Sequence, residues 1–193
     1  MMNNTTISSL NRLKEQIGIF LIATVFICTP VIPFVIPEKA LLPSYAPIFG
    51  FICGGICGIF LLLIWSKPAF KKYLYYFIVI AITLGVYSCL TYAYWLDLRE
   101  RDASAVIYFS MLSAFHFNSI RDLVLFYVII FIGVLYISFN IPNPHIDVTY
   151  FIIRFVIFNL IALGFFSIFR KTLDSFSERE YGYTQLFQMM NGH

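Results

Sequence analysis

Inside the long apolar stretches of this chain, a small set of polar side chains recurs at helical spacing. Thr83, Tyr87, Thr91 and Tyr94 fall on one face of a helix, because residues three and four apart are neighbours on its surface. Phe109, Ser113 and His116 share a face of a second segment, whereas Asn118 points elsewhere, and a third segment carries Arg154, Asn159 and Ser167. Polar groups are costly in hydrocarbon and turn toward protein or water, so these faces are expected to point into a bundle. Flanked by Phe, Tyr, Ile and Leu, they suit a mostly apolar pocket that holds a lipid-like molecule by a small polar head. The chemistry on offer is binding. Asp and Glu lie in loops and chain ends, so no intramembrane carboxylate pair is available for acid and base roles, and HExxH, GxSxG, Walker A and CxxC motifs are absent. No metal or cofactor is expected.

Each residue also has a plainer role. His116 suits an interhelical hydrogen bond as well as a ligand contact or proton relay. Arg154, about 7 Å inside the outer boundary at 1.5 Å per residue, can snorkel outward and pair with Asp147 or Asp102. The threonine and tyrosine stripe can serve as packing glue, since interhelical hydrogen bonds in membranes contribute only about 0.6 to 2 kcal/mol each.

The elements that must position these groups follow from composition. With 60% hydrophobic and 12% charged residues, the chain departs far from soluble proteins, in which about a quarter of residues are charged. It reads as an all-α polytopic membrane protein. A crossing helix needs roughly 20 apolar residues, and candidate spans fall at 17–36, 45–65, 73–96, 103–120, 122–140 and 149–169. These form a six-helix transmembrane domain at 17–169, preceded by a polar segment at 1–16 suited to a short interfacial helix or frayed end. A C-terminal cytoplasmic helix follows at 170–193. Lys and Arg placement sets orientation: Arg12, Lys14, Lys67, Lys71, Lys72, Arg121, Arg170, Lys171 and Arg179 gather on one side, against Lys39, Arg99 and Arg101 on the other. Both termini are therefore expected in the cytoplasm. The net charge of +3 reflects this asymmetry, and nucleic acid is not an expected partner.

Local features add detail. Pro30 and Pro33 are expected to kink or end the first helix early, leaving irregular backbone around 30–47. Gly50, Gly54 and Gly58 form a doubled GxxxG that lets another helix approach closely. Cys28, Cys53, Cys57 and Cys89 all fall within spans and read as reduced, small hydrophobes. A basic hairpin is expected at 66–72, a solvated outer turn with local ion pairs at 97–102, and an outer loop at 141–147 that could cap a cavity.

Beyond Arg170, Leu173, Phe176, Glu180, Tyr183, Phe187 and Met190 alternate at three and four residues, a heptad seam with one charged defect. Two chains could pair through it, and a simple interfacial helix is the plainer role. Six spans with cytoplasmic ends, a short fourth span carrying His116 and closing on Arg121 and Asp122, and a sixth ending Leu-Gly-Phe-Phe-Ser-Ile-Phe-Arg at 163–170 together resemble the membrane domain of the CqsS/LqsS-type quorum-sensing histidine kinases. In that family a His followed six residues later by an Asp marks the end of the fourth span, as His116 and Asp122 do here. Where the family can carry a Cys three residues before the terminal Arg of the sixth span, this chain has Ser167. The resemblance implies that this position senses the length or head group of a ligand.

The resemblance further implies a bacterial inner (plasma) membrane location and a small amphipathic signal of the α-hydroxyketone type. A homodimer through 173–190 would relay the signal to a histidine kinase output domain absent from this chain. The family's phosphoacceptor H-box needs residues after its histidine that Met-Asn-Gly-His does not supply, so no kinase activity is expected of these residues alone. Two other roles fit the same pattern: a membrane anchor or regulator of an adenylyl cyclase, and a small self-contained transporter or lipid-handling protein.

Overall fold

In lipid every backbone N–H and C=O must be satisfied within its own segment, so apolar stretches of this length fold as helices. The computed structural model describes residues 4–36 and 41–191, with side chains described for 15–36, 41–67, 69–114 and 116–172. The seam side chains from Leu173 to Met190, His193, and the cations Arg12, Lys14, Lys39 and Arg179 lie outside the described side chains. Six helices follow in order: α1 (Asn4–Val35), α2 (Ala46–Ser66), α3 (Leu74–Trp95), α4 (Glu100–Ser113), α5 (Ile120–Asn140) and α6 (Val148–Asn191). A 3-10 helix, Pro68–Tyr73, joins α2 to α3, and another, Ala114–His116, closes α4. All helices but α4 carry stretches of 21 to 27 residues long and apolar enough to cross a membrane. Their outward faces are apolar as well: Phe20, Trp65 and Phe139 are 71, 87 and 80% exposed. The protein is membrane-embedded, and its regular structure among the described residues is all helical.

The N-terminal segment is no separate piece, because α1 runs unbroken from Asn4 past Pro30 and Pro33 to Val35. The expected early end does not occur, and the packing around the prolines explains why. A proline has no N–H to give the carbonyl four residues back, which frees Phe26 O and Thr29 O. The Tyr92 hydroxyl of α3 donates to Thr29 O at 3.4 Å. The glycines of α2 bring backbone onto the same place: a Cβ on Gly50 would lie 2.4 Å from Thr29 O, and one on Gly54 would lie 2.9 Å from Phe26 O. Gly58 meets the Phe26 ring in the same way. The doubled GxxxG thus does what its spacing predicts, with α1 as its partner.

The remaining helices close a ring in which α3 packs on α4, α4 on α6, α6 on α5 and α5 on α3, while the α1–α2 pair flanks α3. The ring interior is filled by large apolar side chains, among them Leu90, Ile107, Leu123, Ile130, Phe151 and Phe155, each nearly fully buried.

Two sets of contacts define the ends of the bundle. Lys71 pairs with Glu15 at 2.5 Å, and Tyr75 donates to Asp122 at 2.7 Å. These bonds gather the starts of the α1 span, α3 and α5 at one end, which is basic. At the other, His145 N donates to the carbonyl of Asp97 at 2.9 Å, tying the 141–147 loop to the α3–α4 turn. That turn ends α3 with Asp97 and Leu98 both at positive φ, 56° and 50°, and with Leu98 N bonded back to Ala93 O at 2.7 Å. This is a Schellman-type stop made without glycine.

The largest departure from expectation is α4. It begins at Glu100 and ends at Ser113, so residues 100–102 form its first turn instead of a solvated loop. Its 14 residues cover about 21 Å, short of the ~30 Å hydrocarbon thickness. It still runs between the same two ends of the bundle as α3, with the 3-10 turn adding the last part. Beyond it the backbone is extended at Phe117, short of the 120 expected for this helical run, and Ser119 caps α5 by accepting from Asp122 N at 3.1 Å. Finally, α6 is a single helix of 44 residues: the last span and the tail are continuous.

Candidate functional site

The polar groups picked out by spacing divide into three sets. The first satisfies its own helix. Thr83 and Thr91 donate to Val79 O and Tyr87 O, each at 2.8 Å, and Ser113 donates to Phe109 O at 2.6 Å. Four residues back is the usual partner for a hydroxyl in a helix. Thr83, Tyr87 and Thr91 are half-buried and Tyr94 is exposed. The stripe on α3 therefore lies at the margin of the interior, while the buried face carries Ile78, Ile82, Val86, Leu90 and Ala93. Apolar packing decided that rotation of the helix, and hydroxyls with a carbonyl on their own helix did not resist it.

The second set links helices across the ring. Tyr87 reaches from α3 to Ile129 O of α5 at 2.9 Å. Between α4 and α6 runs a polar seam. Ser110 donates to Asn159 Oδ1 at 2.7 Å, and Asn159 Nδ2 donates to Phe155 O at 2.7 Å, all in a buried setting. Nearer the loop end, Arg154 pairs with Glu100 and also contacts Ser104 at 3.5 Å, with its guanidinium 5.1 Å from the Tyr150 ring centre. The expected partners, Asp147 and Asp102, do other work. Asp147 caps α6 by accepting from Thr149 N at 2.8 Å, and Asp102 pairs with Arg101 at 3.1 Å. Because the first turn of α4 is helical, Glu100 rather than a loop residue faces Arg154. The seam also accounts for α4 itself: a helix with a weakly apolar sequence lies in the bundle because α6 neutralises its acid and engages its serines.

The third set gathers at the basic end, around the α4–α5 turn. Tyr75 OH donates to Asp122 Oδ2 at 2.7 Å and accepts from Asn118 N at 3.4 Å. The His116 ring lies beside the Leu112 and Ser113 carbonyls, and its Nδ1 is buried without a hydrogen-bond partner of normal geometry. Ser167 is half-buried on α6, one turn before Arg170, whose guanidinium lies 5.9 Å from the Phe166 ring centre.

Spacing alone misses Ser110, Glu100, Ser104 and Tyr75. Ser110 follows Val106 by four residues and precedes Ser113 by three, so its face was visible in principle. Nothing local marks Tyr75. The four cysteines are free, with Cys53 and Cys57 buried, and no group of three or more His, Cys, Asp or Glu among the described residues could hold a metal ion. The arrangement couples α4 to α6 by hydrogen bonds in a buried, apolar setting. Comparison with protein family models, with characterised proteins and with solved structures finds no match.

Proposed function

We propose that the chain is the sensing module of a dimeric histidine kinase, embedded in a bacterial inner membrane by six crossings with both termini cytoplasmic. It would take up a small amphipathic signal of the α-hydroxyketone class. One observation carries the reading: α6 bonds Asn159 to Ser110 of α4 in the buried ring, pairs Arg154 with Glu100 at its exposed loop end, and continues as the same helix to Asn191. A change in the α4–α6 seam is thereby a change in the position of the emerging helix. The basic end, with Lys67, Lys72, Arg121 and Lys171 exposed, supports placing both termini in the cytoplasm. The heptad spacing of 173–190 supports pairing of two such helices.

The mechanism is a population shift between two packings of the ring, which requires that the ligand bind one of them more tightly. The seam suits this role because its few hydrogen bonds can be exchanged for bonds to a ligand oxygen, whereas a closely packed backbone contact cannot.

Thermal unfolding of the purified chain with α-hydroxyketones of graded tail length tests the reading. The expected result is a rise in Tm that peaks at one length, with weaker response in His116→Ala and a shifted optimum in Ser167→Leu. No rise at any length would overturn ligand sensing. A monomer in mild detergent, unaffected by deleting 173–193, would overturn the dimeric relay.

A further inference from the structure

Tyr127 lies seven residues into α5, about 10 Å from the basic end at 1.5 Å per residue. It is 6% exposed and belongs to the continuous apolar core of the ring. Its ring meets Phe126 at 5.7 Å, and Phe126 meets Phe117 at 5.0 Å, so three aromatic rings form one nest beside the α4–α5 turn. The Tyr127 hydroxyl is buried and has no hydrogen-bond partner. The interior tyrosines of α3 behave differently. Tyr75 donates to a carboxylate, and Tyr87 and Tyr92 donate to backbone carbonyls on other helices. A phenylalanine would fill the Tyr127 position without leaving a buried donor unmatched, which buried polar groups in proteins rarely are. His116, next to Phe117 in the chain, carries a buried Nδ1 beside the Leu112 and Ser113 carbonyls, without a hydrogen bond of normal geometry.

We infer that the Tyr127 hydroxyl is the anchor for a carbonyl oxygen on an uncharged alkyl chain. The hydroxyl donates to that oxygen, and the alkyl part lies against Phe117, Phe126 and the apolar core. This deepens the sensing function proposed above by naming the residue that holds the head group. A carbonyl on an alkyl chain has two natural sources, a free ketone signal and the ester of a bilayer lipid.

The full chain is titrated in dodecyl maltoside, which has no carbonyl, with a ten-carbon 2-alkanone, the matching α-hydroxyketone and decane. The wild type is expected to bind both ketones at least tenfold more tightly than decane. Tyr127→Phe is expected to weaken the ketones about tenfold, leave decane unchanged, and have a ligand-free Tm at or above the wild type's. Competition by added phosphatidylcholine that is lost in Tyr127→Phe would make a lipid ester the occupant; ketone binding undisturbed by lipid would make it the free signal. If Tyr127→Phe does not fold, the infrared stretch of a 13C-labelled ketone carbonyl serves instead, and it should fall on binding to the wild type. Equal ketone binding by both proteins, no preference over decane, or an unshifted carbonyl stretch overturns the anchor. If hydroxyketone binds both proteins alike, signal sensing stands and the anchor falls. If the plain alkanone binds as well as the hydroxyketone and depends on Tyr127, the anchor stands and the hydroxyketone assignment falls. If neither ketone binds, both fall.

Discussion

The α1–α2 pair and the α3–α4–α6–α5 ring are held together in different ways. In the pair, glycines of α2 rest on carbonyls that the prolines of α1 have freed, so backbone meets backbone and the contact leaves no room for adjustment. In the ring, helices are bridged by single hydrogen bonds between side chains, Ser110 to Asn159 and Tyr75 to Asp122, and by the Arg154–Glu100 pair. Close packing resists change of any kind, while a hydrogen bond can be traded for another at little net cost. A pair locked by backbone contact thus stands beside a ring whose cross-links are single side-chain bonds around an apolar core.

The most damaging test of that contrast is Gly50→Leu. The added side chain would drive into Thr29 O and should destabilise the protein by on the order of 3 kcal/mol, the upper range for overpacking. Gly55→Leu is its control, since a Cβ there meets nothing within 4 Å, and its Tm should hold or rise. Equal effects at the two positions would dissolve the proposed rigidity of the pair.

Asn159→Leu comes next, leaving the buried Ser110 hydroxyl without its acceptor, at a cost of about 1–3 kcal/mol. A double-mutant cycle with Ser110→Ala should give a coupling of about 0.6 to 1.7 kcal/mol, the range for hydrogen bonds in membranes. Zero coupling would mean that the seam is incidental to ring packing. Tyr75→Phe should cost about 0.5–1.5 kcal/mol and speed amide exchange of Asn118, whose N–H loses its acceptor. Unchanged exchange would remove the basic-end link from the list of ring contacts. The smallest effect is a gain: Asp97→Gly relieves a left-handed residue at the end of α3 and should stabilise by less than about 1 kcal/mol in a thermal scan.

Sequence patterns carried the membrane class, the placement of the five long apolar stretches to within a few residues, and the glycine stripe. Each depends on the residues of one segment and on lipid as a uniform surrounding. What was hidden depends on a second segment. Residues 100–102 look like loop until Arg154 is placed beside Glu100, and only then does a helix start there in the bundle. Ser110 resembles any serine that bonds to its own helix, as Ser113 does, until Asn159 faces it. The tyrosine and threonine stripe misled in the opposite direction, because its threonines carried local partners that removed their need for the interior. Tyr127 has no local signature, and its interest comes entirely from what surrounds its hydroxyl.

The unbroken course of α6 makes it a lever arm. From Asn159 to Asn191 is 32 residues of one helix, or about 48 Å at 1.5 Å per residue. A tilt of about 5° at the seam, too small to disturb the apolar core, would sweep the far end through about 4 Å on the same geometry. Two such arms, paired as proposed, would turn an exchange of hydrogen bonds at the seam into a change in the gap between their tips.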